Sequence, residues 1–261
     1  MKNVLISGCS WSTGFGLPNE KENTRIWPNQ LVNNLWPDAT LTNIAVAGLN
    51  NESIFLKTAN EIIKNNYDCV IVEWSETRRL NFNIGLELYS TNSMLVPGVD
   101  INLVNFKKVT GEWLFKNIKM PLEEVLNDHW QILKMVTYIN ILSTIRKTQG
   151  DIFFVNGGGC WDKDYFVRKQ NWRDASSYTK NQILQFDYRD DDEIAKLYNK
   201  IHDDYDNSGG IQEDKWLNLY GSMHDEKIDT VSTTDMHPGF LSQDKFSKEF
   251  TEKINQITRQ F

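Results

Sequence analysis

A serine near the start of the chain and a histidine near its end have the residue types of a nucleophile and its base. Ser10 lies in a Gly- and Ser-rich turn, GCSWSTGFG, and His237 lies in the segment DMHP. A serine hydroxyl is a weak nucleophile unless a neighbouring base takes its proton, and that base needs a group that orients it. Asp235 is one candidate for the orienting group, and Asp229 or a main-chain carbonyl is the alternative. The two ends of the chain therefore predict nucleophilic catalysis, provided that the fold brings them together.

The elements that must position these residues follow an alternating pattern of short apolar runs and helical segments. We predict strands at residues 3–7, 41–46, 69–74, 151–155 and 227–231, and helices at residues 28–35, 52–64, 121–147, 191–203 and 243–259. The run CVIVEW is nearly all apolar, which is typical of a strand buried on both faces of a parallel sheet. The pattern predicts an α/β fold, a three-layer α/β/α sandwich with a parallel sheet of about five strands.

One helix of this pattern is predicted in more detail. Asn50 and Asn51 offer an N-cap for the helix at 52–64. Its apolar residues are expected on one buried face, and they are Ile54, Leu56, Ala59, Ile62 and Ile63.

The length of the chain favours a single domain. A chain of 261 residues suits one large α/β domain better than two. Residues of about 76–120 and 160–220 break the alternation of strands and helices, so we predict insertions there within one domain spanning 1–261.

The carboxyl ends of the predicted strands carry polar residues that suit a binding site. Ligands of open parallel sheets bind beyond these ends. Ser10 follows the first strand, the segment GLN that ends at Asn50 follows the second, and Trp74 and Ser75 close the third. The side chains expected to contact a substrate are Trp11, Trp74, Ser75 and Arg78. For Arg78 and its neighbour Arg79, a solvated or structural role is the alternative.

Composition excludes several classes of partner and site. The formal net charge is −7 and there is no long basic run, so we expect neither nucleic acid nor a membrane as the main partner. No run approaches the roughly 20 apolar residues of a membrane-spanning helix. Because no signal sequence is evident either, we expect a cytoplasmic protein, or a virion-associated one if it is phage-encoded. Three scattered cysteines predict reduced thiols.

We predict no metal and no cofactor. The Gly-rich turn has neither dinucleotide nor P-loop spacing. The acidic stretch from Asp204 imitates a calcium loop but places Lys215 where a bidentate Glu is required. The remaining histidines, interpreted as packing or surface residues, are His129, His202 and His224.

Three blocks of the sequence occur in an order that resembles a known family. They are ISGCSWS around Ser10, the stretch NIAVAG that ends at Gly48, and DMHPG around His237. In this order, over nearly the full length of the chain, they resemble the SGNH (GDSL) hydrolases. The variants WSETRR and DMHP resemble a divergent branch associated with tailed-phage genomes.

The resemblance implies a role for each matching residue. Ser10 would attack an ester carbonyl, His237 would take its proton, and the N–H groups of Ser10 and Gly48 would face the oxyanion. The family pattern is altered at three places. Cys9 stands where the family has Asp, one residue rather than two separates Asp235 from His237, and WSET replaces the block that supplies a side-chain oxyanion donor. Candidates for that third donor are Asn50, Asn51 and Ser75.

The resemblance implies a serine esterase that works through an acyl-enzyme intermediate. We expect small acyl groups on carbohydrate, such as O-acetyl, because no long hydrophobic lid is evident and aromatic and Asn residues are plentiful near the predicted site. A lipid ester or thioester, and acyl transfer to a sugar, are alternatives. An inactive binding or structural module, for instance a glycan-recognising phage particle component, is the alternative from another functional class, and the replaced block favours it. The oligomeric state is not predicted.

Overall fold

The computed structural model describes residues 1–75, 81–84, 87–90, 100–102, 108–110, 128–147, 149–158, 213–218 and 222–259. The strands are β1 (Asn3–Ser7), β2 (Thr40–Asn43), β3 (Cys69–Trp74), β4 (Asn81–Ile84), β5 (Glu87–Ser90), β6 (Asp100–Asn102), β7 (Lys108–Thr110) and β8 (Asp151–Asn156). The α-helices are α1 (Ser10–Thr13), α2 (Trp27–Leu35), α3 (Asn51–Lys64), α4 (Asp128–Arg146), α5 (Met223–Glu226) and α6 (Phe240–Thr258).

Four parallel strands form the central sheet in the order β2-β1-β3-β8. All six residues of β3 are buried, as its apolar sequence predicts for a central strand. The chain crosses from β1 to β2 in one direction and from β2 through β3 to β8 in the other. Because such crossovers are right-handed, α2 lies on one face and α3 and α4 on the other. Helix α6 packs against α2, and α3 packs against α4. The predicted α/β fold with a parallel sheet is confirmed.

The predicted fifth strand at 227–231 is wrong. Only a single antiparallel bridge forms there, between Thr230 and Pro238, and the N–H of Val231 donates to the carbonyl of His237 at 2.9 Å. The segment therefore pairs with the loop that carries His237. The position beside β8 is taken by Trp216, which forms a parallel bridge with Phe154.

The predicted apolar face of α3 is partly wrong. Ile54 and Ile62 are buried, whereas Leu56 is 52% and Ile63 70% exposed. At 3.6 residues per turn, Leu56 and Ile63 lie roughly 160–180° around the helix from Ile54. The side chain that completes the buried stripe is the polar Thr58. The predicted N-cap holds, because the Asn50 side chain accepts the N–H of Ser53.

Several sequence predictions lie outside the described residues. These are the helix at 191–203, the first residues of the helix at 121–147, the calcium-like stretch, and Arg78, Arg79 and Cys160. Within the predicted insertion at 76–120, the described segments form two antiparallel pairs, β4 with β5 and β6 with β7. No helix in the described part of the chain is long and apolar enough to cross a membrane.

A carboxylate from a preceding loop caps α6. Helix α6 has Gly239 at its N-cap, which offers no side chain to the first N–H groups. The carboxylate of Asp229 accepts the N–H groups of Ser242 and Leu241 at 2.7 and 3.0 Å, and the hydroxyl of Ser242 at 2.6 Å. Burial by itself would raise the pKa of Asp229, but these hydrogen bonds outweigh it, so that the pKa lies below its ordinary value. The cap also fixes the start of the loop that carries His237.

Replacing Asp229 tests this cap. Asp229→Ala should lower the free energy of unfolding at neutral pH by about 1–2 kcal/mol, the usual effect of losing a helix cap. Because the pKa is lowered in the folded protein, this stabilisation is present above the unfolded-state value of about 3.9 and is lost as the pH falls through the folded-state value. Urea unfolding should therefore show a larger difference between the variant and the wild type at pH 7 than at pH 3.

The matched control is Glu249→Ala, which removes a carboxylate from the same helix. Glu249 pairs with Lys245 on the surface, and such pairs contribute about 0.3–0.5 kcal/mol. Equal losses in the two variants would contradict the capping role.

Candidate active site

Ser10 begins a short helix directly after the central strand β1. The chain leaves β1 at Ser7 and turns through Gly8 and Cys9 into α1. Ser10 is buried, with 3% of its surface exposed, and its hydroxyl donates to Cys9 Sγ at 3.8 Å. In the described part of the chain, neither the N–H of Ser10 nor that of Gly48 donates to another protein group. Both N–H groups are therefore available to an acceptor from outside.

A buried carboxylate from β3 holds the turn that contains Ser10. Glu73 Oε2 accepts the N–H groups of Cys9 and Ser12 at 3.0 and 3.2 Å, and the hydroxyl of Ser12 at 2.6 Å. Its Oε1 lies 2.8 Å from Cys9 Sγ. Glu73 was not among the residues predicted from the sequence. The signal that could have found it is a charged residue inside an otherwise apolar run.

His237 is held by the loop that precedes α6. Asp235 Oδ1 lies 2.6 Å from His237 Nδ1 and accepts the backbone N–H of the same residue at 3.0 Å. Burial alone would raise the pKa of Asp235, but the hydrogen bonds and the charge of His237 outweigh it and lower the pKa. Of the candidate orienting groups, Asp235 thus contacts the ring, while the carboxylate of Asp229 caps α6.

Aromatic contacts bring the two ends of the chain together. The ring of His237 lies 4.8 Å from that of Phe15 and 6.1 Å from that of Trp11. A Cβ atom at Gly16 would come within 2.6 Å of Asp235 Oδ2, so the residues after Ser10 pack closely on the His237 loop. Among the described residues no hydrogen bond joins the Ser10 hydroxyl to the His237 ring. Such bonds commonly tighten only when substrate binds.

The residues after β2 and β3 lie side by side. Gly48 adopts a left-handed conformation with φ of 82°. Asn51 donates to the carbonyl of Ser75 at 3.0 Å and accepts its N–H at 2.8 Å, so its side chain ties α3 to the end of β3. Ser75 Oγ is buried and has no partner in the described part of the chain. Asn50 is wholly buried, and its side-chain oxygen caps α3.

The expected substrate contacts differ in their surroundings. Trp11 is almost wholly buried and lies between two histidines, with His224 5.7 Å away on ring centroids and Lys227 Nζ 5.5 Å above its ring. Trp74 lies in the core, stacked on Phe154 with no exposed surface. His224, which the sequence predicts to be a packing or surface residue, is thus a neighbour of the candidate site.

The site offers no evident metal centre. No group of three or more His, Cys, Asp or Glu side chains that could hold a metal ion occurs within the described ranges. The arrangement instead offers a buried serine, a histidine bonded to a carboxylate, and two available N–H groups. These are the parts that acyl transfer requires.

The ring state of His237 can be tested independently of any activity. A carboxylate only accepts hydrogen bonds, so neutral His237 should carry its proton on Nδ1, facing Asp235, and leave Nε2 as an acceptor. Nitrogen NMR at a pH where the ring is neutral should show this tautomer in the wild type and a mixture of tautomers in Asp235→Ala. The signals of His224 should be unchanged and serve as the internal control. A wild-type ring protonated on Nε2 would contradict the arrangement.

Comparison with known proteins gives likeness in architecture only. No protein-family model matches the chain, and no curated protein matches it significantly. Solved structures that align with it include that of TesA, with 10% identity over 98% of this chain and 99% of the other and a TM-score of 0.49. An acetylxylan esterase from Geobacillus stearothermophilus shows 9% identity over 97% and 94%, with a TM-score of 0.46. An aryl esterase from M. smegmatis shows 10% identity over 98% and 100%, with a TM-score of 0.47. At this level of similarity the alignments carry no argument about activity, and the resemblance to SGNH hydrolases rests on the residues of this chain.

Proposed function

We propose that the protein is a serine esterase that hydrolyses a carboxylic ester through an acyl-enzyme intermediate on Ser10. The observation that carries the proposal is the packing of the His237 loop on the residues that follow Ser10. His237 contacts Phe15 and Trp11, and Asp235 Oδ1 lies 2.6 Å from its Nδ1. This packing supports the proposal, because nucleophilic catalysis uses a carboxylate, an imidazole and a serine in this order.

Each residue has a defined part in the proposed reaction. The Ser10 hydroxyl turns from Cys9 toward His237, loses its proton to Nε2 and attacks the ester carbonyl. Asp235 holds Nδ1 and stabilises the imidazolium that forms. The imidazolium then protonates the leaving alcohol, and the acyl group stays on Ser10. A water molecule, deprotonated by His237, attacks this ester; the bond between the acyl group and the Ser10 oxygen breaks, the imidazolium returns its proton to that oxygen, and the carboxylic acid is released.

The oxyanion would be bound by the available backbone N–H groups. Those of Ser10 and Gly48 have no protein partner in the described part of the chain, which is the condition for receiving the developing charge. Each such donor contributes about 3–4 kcal/mol to the transition state. For a third donor we favour Asn50, which lies wholly buried at the start of α3, two residues after Gly48.

Small acyl esters of carbohydrates are the proposed substrates. Phe15 is 39% exposed and lies against His237, so an aromatic surface borders the proposed base. Aromatic rings of this kind stack well on sugar rings while polar groups fix the orientation. Trp11, which also contacts the His237 ring, is almost wholly buried.

Kinetics on short esters test the proposal. With p-nitrophenyl acetate, Ser10→Ala and His237→Ala should each lower kcat/KM by about 10³-fold or more, because the nucleophile and its base act as a unit. Ser247→Ala removes another buried serine, and His224→Ala removes the second histidine beside Trp11. Both controls should retain kcat/KM within about threefold.

Two results would contradict this assignment. Wild-type protein that hydrolyses no short acyl ester would favour a binding module. Loss of activity in His224→Ala rather than His237→Ala would transfer the role of base to His224.

A further inference from the structure

A charged side chain lies at the centre of the sheet, where apolar residues are expected. Glu73 is in β3, between β1 and β8, and has no exposed surface. Burying a carboxylate costs several kcal/mol unless hydrogen bonds compensate it. The hydrogen bonds of Glu73 therefore have to compensate the cost of burying its carboxyl group.

Four hydrogen-bond contacts of Glu73 reach the turn around Ser10. Three donors converge on Oε2, and the thiol of Cys9 lies against Oε1. The Ser12 hydroxyl at 2.6 Å is in the range of a charge-assisted bond. Cys9 and Ser12 flank Ser10 on both sides along the chain, and Cys9 Sγ also accepts from the Ser10 hydroxyl. The carboxylate therefore constrains both the backbone and the side chain of Ser10.

Two glycines make room for this carboxylate. A Cβ atom at Gly8 would lie 2.5 Å from Glu73 Oε2, and one at Gly157 would lie against Oε1. Real Cβ atoms do not approach other atoms this closely. The ends of β1 and β8 are thus shaped around Glu73, which indicates a built position for its side chain.

We propose that Glu73 is a positioning residue for the nucleophile, which fixes Ser10 through Cys9 and Ser12. The inference rests on the proposed function, because it assumes that Ser10 reacts. Glu73 itself is too enclosed to touch a substrate. By fixing the turn it sets the direction of the Ser10 N–H and the resting place of the Ser10 hydroxyl.

The geometry predicts how two substitutions differ. In Glu73→Gln the carbonyl oxygen can take the place of Oε2 and keep its three donors, while the amide nitrogen faces Cys9 Sγ. Glu73→Ala removes the four contacts with Cys9 and Ser12. Activity should therefore fall far in the alanine variant and less in the glutamine variant.

The control is Thr58→Val, which removes a buried hydroxyl group that contacts the end of β1. Thr58 is wholly buried, and its hydroxyl lies 2.7 Å from both Ser7 Oγ and the carbonyl of Ile54. It contacts the residue at the end of β1 but not the turn at Ser10.

Three measurements on the full-length chain test the proposal. The first is the rate at which a fluorophosphonate modifies Ser10, which should fall about 10–100-fold in Glu73→Ala, the effect of misplacing a reacting group. The second is p-nitrophenyl acetate kinetics, where kcat should fall while KM stays within about threefold. The third is hydrogen exchange of the amides of Cys9 and Ser12, which should become faster. Glu73→Gln should fall between wild type and alanine, and Thr58→Val should react at the wild-type rate despite a lowered melting temperature.

The outcomes separate this proposal from the proposed function. The positioning role is overturned if the fluorophosphonate modifies Ser10 in Glu73→Ala at the wild-type rate. It is also overturned if this rate falls as much in Thr58→Val as in Glu73→Ala. If the alanine variant does not fold, a wild-type rate in Glu73→Gln overturns it instead. If wild-type Ser10 is not modified at all, the proposed esterase function fails, and the positioning role is then judged by hydrogen exchange alone.

Discussion

A buried carboxylate is the constraint around which the carboxyl end of the sheet is arranged. Glu73 is buried away from water, and its carboxyl group accepts hydrogen bonds from the turn that follows β1. Gly157 directly follows the neighbouring strand β8, and a Cβ atom there would collide with the Glu73 side chain. The ends of β1, β3 and β8 therefore meet at one buried acidic side chain, which would be strongly destabilising if its carboxyl group had no hydrogen-bond partners. The turn containing Ser10 adopts the conformation in which Cys9 and Ser12 donate hydrogen bonds to Glu73.

The histidine is positioned by a second set of carboxylates. Within one short loop, Asp229 caps α6 and Asp235 bonds the ring of His237. Helix α6 packs on α2, so the cap fixes the loop relative to the sheet. The remaining contact, between His237 and the aromatic residues that follow Ser10, then brings the loop to the nucleophile. Stability of the loop and placement of the base thus depend on the same few hydrogen bonds.

Much of the fold follows from local patterns in the sequence. The apolar runs of β1, β3 and β8 and the capped helix α3 were predictable, because strand burial and helix capping act within a few residues. The fifth strand was not, since residues 227–231 pair with the His237 loop and the edge beside β8 is taken by Trp216. The bridge between Trp216 and Phe154 joins residues far apart in sequence, which local patterns do not specify.

In the candidate site, too, some residues were predictable from local patterns and others only from their contacts in the fold. Residue type and order indicated Ser10, Gly48 and His237 as candidates. Glu73 and His224 were missed, because their significance lies in what they contact, and no sequence spacing specifies those contacts. The position of Trp74 in the core likewise depends on its stacking against Phe154, a residue of another strand.

The most direct test of the central claim is to trap the acyl-enzyme. Wild-type protein mixed with p-nitrophenyl acetate, quenched in acid within the first turnover and digested, should yield an acetylated peptide whose modified residue is Ser10. Ser10→Ala treated in the same way should yield none. Product release without acetylation of Ser10, or acetylation of Ser75 or Cys9 in its place, would contradict the account.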